Sequence, residues 1–395
     1  MKWLDVDTAC GALGIKPASL YAYVSRGLVR ARTSEVDPRA SVYASADIDY
    51  LLTRKRAGRN RDSIARGAIG WGEPILESAI ATVHEGRLIF RGFDAVTLSE
   101  DKTLEQVASI LWGDGGLPPA SQSLDRITSN DPKSAGLNYL AAMAASTLPC
   151  TGRTREQLAR EAAALLEGLS HAMALGARRG AAHAKLATLW KLNVQQGDIL
   201  RRALVLLADH ELNPSTFAAR VAASTGASLA AAALAGFTTL TGPYHGEAAA
   251  RALDYLTDAH VMGPQRAIAT VLERAQVATN SVAPSKLAPG LGHKLYPEGD
   301  PRARALLAAL RPHALLRKSI SAAEKAWDAP ANIDMALAAL TLQLGLPRNA
   351  PFTLFAVARM AGWLAHGVEQ GLSGAMIRPR ARYVGESGPV SLTAS

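Results

Sequence analysis

The sequence predicts an all-α protein in which a large helical body follows a small separate unit. Three observations carry that expectation. Alanine and leucine recur along all 395 residues while aromatic residues make up only 5%; both are strong helix formers, whereas strands draw on aromatic and β-branched side chains. From about residue 72, apolar stretches of helical length are separated by glycine and proline, the residues that punctuate helices. The first 66 residues hold twelve basic and seven acidic side chains, a net +5 out of +9 for the whole chain, and this shift in composition marks a different unit.

The chain is long enough for two or three domains with a substantial core. With 48% hydrophobic and 19% charged residues, long disordered stretches are not expected. Cys10 and Cys150 are the only cysteines, too few and too far apart for a disulfide framework or a metal site, which fits a reducing cytoplasm. The opening MKWLDVDTAC lacks an apolar signal core. Val221 to Gly246 has no Asp, Glu, Lys or Arg and is long enough to span a bilayer, but it is rich in Ala, Gly, Ser and Thr and ends in Pro243 and His245. A buried helix hairpin is the expectation there, and no membrane partner.

In residues 1–53, Leu4, Ala9, Leu13 and Ile15 space like a short amphipathic helix ending at Gly14. Pro17 suits the first turn of a second helix through Leu20, Tyr23 and Val24, which Gly27 stops. Val29 to Tyr43 reads as a hairpin, and Ser45 as the cap of a helix beginning at Asp47. "LGIKPASLYAYVSRGLV", arginines Arg32 and Arg39, and "YASADIDYLL" resemble the excisionase/MerR type of winged helix-turn-helix. That resemblance implies DNA contacts from Ser19, Tyr21 and Arg26, with the wing arginines on phosphates; weak DNA binding through residues 1–66 is expected, and the alternative is an adaptor that touches no DNA. Residues 54–70, with Arg54, Lys55, Arg56, Arg59 and Arg61, read as a basic linker, and residues 71–395 as the main body. No P-loop or GxGxxG argues for nucleotide binding, and no HExxH or CxxC spacing argues for a metal.

Five segments set His, Arg and Asp beside Gly or Pro: "ADHELNPSTFAAR" (Ala208 to Arg220), "GPYHGEA" (Gly242 to Ala248), "PGLGHKLYPEGDPRA" (Pro289 to Ala303), "PANIDMAL" (Pro330 to Leu337) and "IRPRARYVG" (Ile377 to Gly385). A histidine at a turn or helix end can face a cleft. Any one alone is more often a hydrogen-bonded structural residue. Three histidines with an Asp and several Arg suggest acid–base chemistry on a polyanionic substrate.

In order and wording these segments resemble the citrate synthase family over roughly residues 70–390. "EGRLIFRGFDAVTLSEDKTLEQVASILWGDGGLP" (Glu85 to Pro118) resembles that family's early segment. The resemblance implies an all-α citrate synthase fold, with a smaller subdomain at roughly 247–350 closing over the substrates. It also implies a homodimer or higher homo-oligomer with shared active sites. It places His245, His293 and Asp334 as the catalytic trio and His210 as the histidine that holds oxaloacetate. Arg302, Arg359 and Arg378 match the carboxylate-binding arginines, Arg378 reaching from the partner subunit. Backbone at Leu287 and Gly290 matches the adenine-binding turn, with Lys294 and Lys325 as candidates for the CoA phosphates. The implied reaction joins acetyl-CoA to oxaloacetate and then hydrolyses the thioester, needing no cofactor beyond CoA carried on the substrate. Three departures concern pocket shape: Gly246-Glu247 where Gly-Gly is common, Met335-Ala336-Leu337 after Asp334, and Leu291 before Gly292-His293. They leave propionyl-CoA, and so 2-methylcitrate synthesis, open beside acetyl-CoA; a metabolite-sensing DNA-binding regulator is the reading from a different class.

Overall fold

The structure is a computed structural model that describes residues 3–25, 28–34, 37, 40–56, 76–113, 129–177, 180–278 and 290–381. Arg26, Gly27, Arg39, Leu287 and the linker residues 57–70 lie outside the described residues. The chain divides into two compact units, residues 1–77 and 78–395.

The first unit combines three helices with a small sheet. Asp5 caps α1 (Val6–Leu13) by accepting from Thr8 N–H at 2.7 Å, and Gly14 ends it at φ 60°, a left-handed conformation that glycine takes without a Cβ clash. Leu4, expected on this helix, lies before it in a strand, and Ile15 follows the Gly14 end as expected. Pro17 opens α2 (Pro17–Ser25), where its missing N–H costs nothing. Strands β1 (Trp3–Leu4), β2 (Ala31–Thr33) and β3 (Ser41–Ala44) form an antiparallel sheet with β3 in the centre. The β2–β3 pairing follows the expected hairpin; β1 was not foreseen. The last helix, α3 (Ser45–Arg56), includes Ser45, so Ser45 is not its cap. Ala9, Leu13, Leu20, Val29, Tyr43 and Ile48 form this unit's core. The Arg30 guanidinium grips Asp47 with two bonds of 2.9 Å, and Arg32 lies 4.6 Å over the Trp3 ring.

The second unit opens on a sheet the composition did not suggest. Strands β4 (Ala81–His84), β5 (Arg87–Phe90) and β6 (Phe93–Asp94) are antiparallel. Glu85 and Gly86 both take positive φ, 49° and 73°, as a two-residue hairpin turn requires. Fourteen helices follow among the described residues: α4 (Ala95–Asp101), α5 (Leu104–Trp112), α6 (Pro132–Ser146), α7 (Arg155–Met173), α8 (Ala182–Leu189), α9 (Val194–Leu207), α10 (Pro214–Ser224), α11 (Leu229–Leu240), α12 (Ala248–Met262), α13 (Pro264–Ala278), α14 (Pro301–Leu310), α15 (Ala314–Trp327), α16 (Ile333–Gln343) and α17 (Ala350–Ser373). Thr103, Thr154 and Asn193 start α5, α7 and α9 with reciprocal capping boxes, each satisfying two otherwise unpaired backbone donors.

Helix α17 is the axis of this body. Nearly all its residues from Ala350 to Val368 are buried, and it packs against α5, α7, α9, α10 and α11. The uncharged stretch from Val221 forms the end of α10 and then α11, two helices in extensive contact. No helix among the described residues is long and apolar enough to cross a membrane. Helix α16, also almost wholly buried, packs on α12 and α14. The ends of α9, α14 and α16 and the middle of α17 carry the residues of interest.

Candidate active site

Helix ends place the chemistry. The chain leaves α9 through Asp209, His210 and Glu211, the last at φ 49°. Asn213 then caps α10, its Oδ1 accepting from Ser215 and Thr216 N–H, while its amide donates to the His210 carbonyl at 3.3 Å. The turn holding His210 is thus clamped on its C-terminal side. Asp300 caps α14 and accepts from Arg302 N–H, Nε–H and Nη2–H at 3.0, 3.0 and 2.8 Å and from Ile333 N–H at 3.1 Å. Asn332 caps α16 through Asp334 N–H at 2.9 Å and donates to the Gly292 carbonyl at 3.0 Å. Asn332 N–H also donates to the Gly290 carbonyl at 3.0 Å, and Gly292 N–H to the Pro330 carbonyl at 2.7 Å. These bonds zip residues 290–292 to 330–332, which sets His293 and Asp334 on neighbouring segments.

Five of the expected side chains form one cluster. The His210 and His293 rings meet edge to face with centroids 5.0 Å apart. Tyr296 shares its hydroxyl with His210 Nε2 at 3.0 Å and lies 5.1 Å, centroid to centroid, from His293. Arg302 lies 5.4 Å over the Tyr296 ring. The Asp334 carboxylate has no hydrogen-bond partner among the described residues, yet it feels Arg302, Arg251 and Arg359 as nearby cations. Arg359, only 1% exposed, donates from Nε to the Leu207 carbonyl at 2.9 Å, and its Nη2 is buried without a partner among the described residues. A cation so placed offers an anion a desolvated hydrogen bond.

His245 lies near Arg359, whose charge acts on it. Its Nε2 lies 2.9 Å from Ser215 Oγ, which also accepts Trp363 Nε1–H at 3.1 Å and sits 2.7 Å from Asn213 Oδ1. Phe355 bridges this side: its ring is 6.2 Å from that of His245 and lies 4.7 Å beneath the Arg359 guanidinium.

Burial sets the protonation states. It pushes His245 and His293 down to about 4, helped by Arg359 and Arg302 respectively, and holds His210 well below the ordinary histidine range. All three are neutral at pH 7. His293 Nδ1 accepts from Leu295 N–H at 3.1 Å, so the proton of the neutral ring is on Nε2. Burial raises the Asp334 carboxyl to about 6 against the pull of Arg302. Asp300 goes the other way: burial alone would raise it, but the Arg302 guanidinium more than offsets this.

The remaining expected residues lie elsewhere. Arg378 is exposed on the coil after α17, where Ile377 N–H donates to Ser224 Oγ at 3.1 Å, and among the described residues no hydrogen bond or ion pair joins it to the clustered side chains. Lys294 and Lys325 are exposed. Gly290, at φ 65°, packs so closely that an added Cβ would meet Met335 N at 2.7 Å; it serves the local packing of α16. Sequence reasoning assigned no role to Ser215, Tyr296, Asp300, Asn332 or Trp363. The strings Asn-Pro-Ser and Asp-Pro-Arg, an Asx cap followed by proline, could have pointed to Ser215 and Asp300.

Comparison with known proteins adds to this geometry. Residues 161–380, more than half of the chain, match the family model described as citrate synthase, C-terminal domain. The chain belongs to the citrate synthase family. The citrate synthase of Haloferax volcanii is 35% identical over 206 residues, 47% of this chain and 49% of that protein. The 2-methylcitrate synthase of Shewanella oneidensis is 31% identical over 196 residues, 47% of this chain and 50% of that protein. The chain thus spans about half the length of the curated relatives it matches. Among solved structures, the citrate synthase of Thermotoga maritima superposes with a TM-score of 0.61 at 25% identity, over 81% of this chain and 96% of that one. The family model covers residues 161–380 within the second unit; the first unit, residues 1–77, lies outside it.

Proposed function

We propose that the chain is a citrate synthase, condensing acetyl-CoA with oxaloacetate and hydrolysing the resulting thioester. The observation that carries this reading is the cluster itself: an Asp334 carboxylate with no hydrogen-bond partner among the described residues, close to buried Arg302 and Arg359, with neutral His293 in the cluster and neutral His245 near Arg359. A thioester methyl group is a weak acid, so a base must act together with a group that stabilises the enolate oxygen. Ionised Asp334 takes the methyl proton, and burial strengthens it as a base. Neutral His245 donates to the enolate oxygen from Nδ1, the oxyanion-hole role played by a side chain. For that donation Ser215 must give its one hydroxyl proton to His245 Nε2 and not to Asn213.

The enolate carbon then attacks the ketone carbon of oxaloacetate, and His293 Nε2–H supplies a proton to the oxygen that becomes a hydroxyl. His210, Arg302 and Arg359 receive oxaloacetate, the guanidinium forks matching its carboxylates, and Arg378 reaches across from a second copy in a homodimer. Water cleaves the citryl thioester to citrate and free CoA. CoA arrives on the substrate, with Gly290, Leu287, Lys294 and Lys325 as its contacts, and helices α12–α16 act as the closing subdomain that excludes water. One methylene is worth only about 1–3 kcal/mol of discrimination, so propionyl-CoA is the second substrate to try. Free thiol release from acetyl-CoA and from propionyl-CoA, each with oxaloacetate, tests the reading. Folded protein that releases CoA from neither rejects it.

We further infer that the first unit is a winged helix-turn-helix that binds DNA weakly. Exposed Ser19 and Tyr21 on α2 support this, although Arg32 is engaged with Trp3. Full-length protein should shift duplex DNA at low salt and release it steeply as salt rises. No shift at low salt, with the unit folded, leaves the adaptor reading standing.

A further inference from the structure

Helix α12 begins three residues after His245 and carries, on its first turn, an arginine the reaction scheme does not use. Arg251 donates from Nη1 back to the carbonyl of Pro243 at 2.9 Å, inside the Gly242–His245 turn that itself closes through His245 N–H to the Gly242 carbonyl at 3.0 Å. Its Nε is buried and has no partner among the described residues. The same stretch of α12 lies against the start of α16. A Cβ on Gly290 would meet Ala252 Cβ at 3.0 Å and Met335 N at 2.7 Å, so the neighbours of Arg251 and of Asp334 converge on one glycine.

We propose that Arg251 is a positioning residue for proton abstraction: its guanidinium holds the turn that carries His245 and gives the Asp334 carboxylate a countercharge from α12. The inference rests on the reaction proposed above. Each side of the site then has a defined contribution. Asp334 is faced by Arg251 from α12, by Asp300 and Arg302 from the start of α14, and by Arg359 from α17. Arg302 acts most strongly of these cations but brings Asp300 with it, whose charge opposes it at Asp334, and Arg359 is held to the Leu207 carbonyl. Arg251 has no carboxylate partner among the ion pairs of the described residues, so its charge is available to Asp334. Without it, burial acts on Asp334 with less opposition, the carboxyl holds its proton to higher pH, and less of the base is ionised near neutrality. One side chain thereby couples the orientation of the group that stabilises the enolate to the acidity of the group that creates it.

The test follows the Asp334 carboxyl directly, by carbon-13 NMR of protein labelled at aspartate carboxyls, with Asp334 assigned through Asp334→Asn. Wild type is compared with Arg251→Gln, Arg251→Met and Arg251→Lys. Gln keeps a donor for the Pro243 carbonyl but loses the charge; Lys keeps the charge. The Asp334 midpoint should rise by about half a pH unit or more in the Gln and Met proteins and stay near wild type in the Lys protein. CoA release should follow, with the acidic limb of kcat displaced to higher pH in Gln and Met. If Met does not fold, the Gln and Lys pair still decides. An unchanged Asp334 midpoint in folded Gln protein overturns the inference. Absence of CoA release by wild type overturns the proposed reaction instead, so the two failures are told apart.

Discussion

Burial around Asp334 does two opposed things: it makes the carboxylate a better base and makes it harder to ionise. With the carboxyl raised to about 6 and the ionised form required, turnover should fall as pH drops through 6, and the limb is read from kcat against pH. Asp334→Asn should keep the fold and lose turnover by roughly 10²–10⁴-fold, the usual cost of removing a general base; near-normal turnover would remove Asp334 from the mechanism. The histidines act on stability with the opposite sign to Asp334. Their folded values, about 4 for His245 and His293, lie below the ordinary 6.5, so the unfolded chain binds more protons between those values. Their contribution is complete above 6.5 and is lost as pH falls toward 4. Asp334, with its raised value, loses stability as pH rises from about 4 through 6 and so regains it as pH falls, partly offsetting the histidines' loss; thermal denaturation against pH resolves this when His293→Gln is compared with wild type. These histidines, Asp334 and the arginines Arg302 and Arg359 were legible in the sequence because each lies in a segment that also carries Gly or Pro or matches a family string. Ser215 and Tyr296 were not, since a hydroxyl has no local spacing of its own and gains its meaning only from a distant ring.

Helix α17 shows how tightly one element can be tied to the site. Gly362 N–H donates to the Ala208 carbonyl at 3.0 Å, and an added Cβ would fall 2.3 Å from Asp209 Oδ1 and 2.7 Å from that carbonyl. Gly362→Ala must push α17 away from the turn that carries His210, at a cost of about 1–3 kcal/mol from overpacking. A lower melting temperature with a raised KM for oxaloacetate is the expected pair of results; unaltered stability would mean that α17 and the turn can separate freely. The helices were broadly legible, and their capping residues announce several of them. The strands were harder. Ala81–His84 and Arg87–Phe90 are four residues each, too short to register in a composition dominated by alanine and leucine. The two-residue β1 forms only because β3, forty residues further on, offers it an edge.

At the scale of the whole molecule, the exposed Arg378 separates two designs. If each site is built within one chain, mixing Arg378→Ala subunits with His293→Ala subunits restores nothing. If Arg378 crosses to a partner, a mixed dimer contains one site with both defects and one with neither, and activity returns on subunit exchange. Recovery is the expected outcome, measured as CoA release after verified exchange. The expectation of a homodimer rests on family resemblance alone, because a single chain's hydrophobic periodicity does not say which apolar faces meet another copy. Charge composition set the first 66 residues apart, and the two compact units divide at residue 77.

The indole of Trp363 has an optical consequence. It is fully buried, and its N–H ends on the Ser215 oxygen that also touches His245. Any event that redirects the hydroxyl proton between the imidazole and Asn213 alters the polarity felt by that chromophore. Six tryptophans emit in this chain, and replacing Trp363 by phenylalanine isolates its share by subtraction. Emission from the fold's own centre thus becomes a ligand-free readout of the imidazole's tautomer, available before any product is formed.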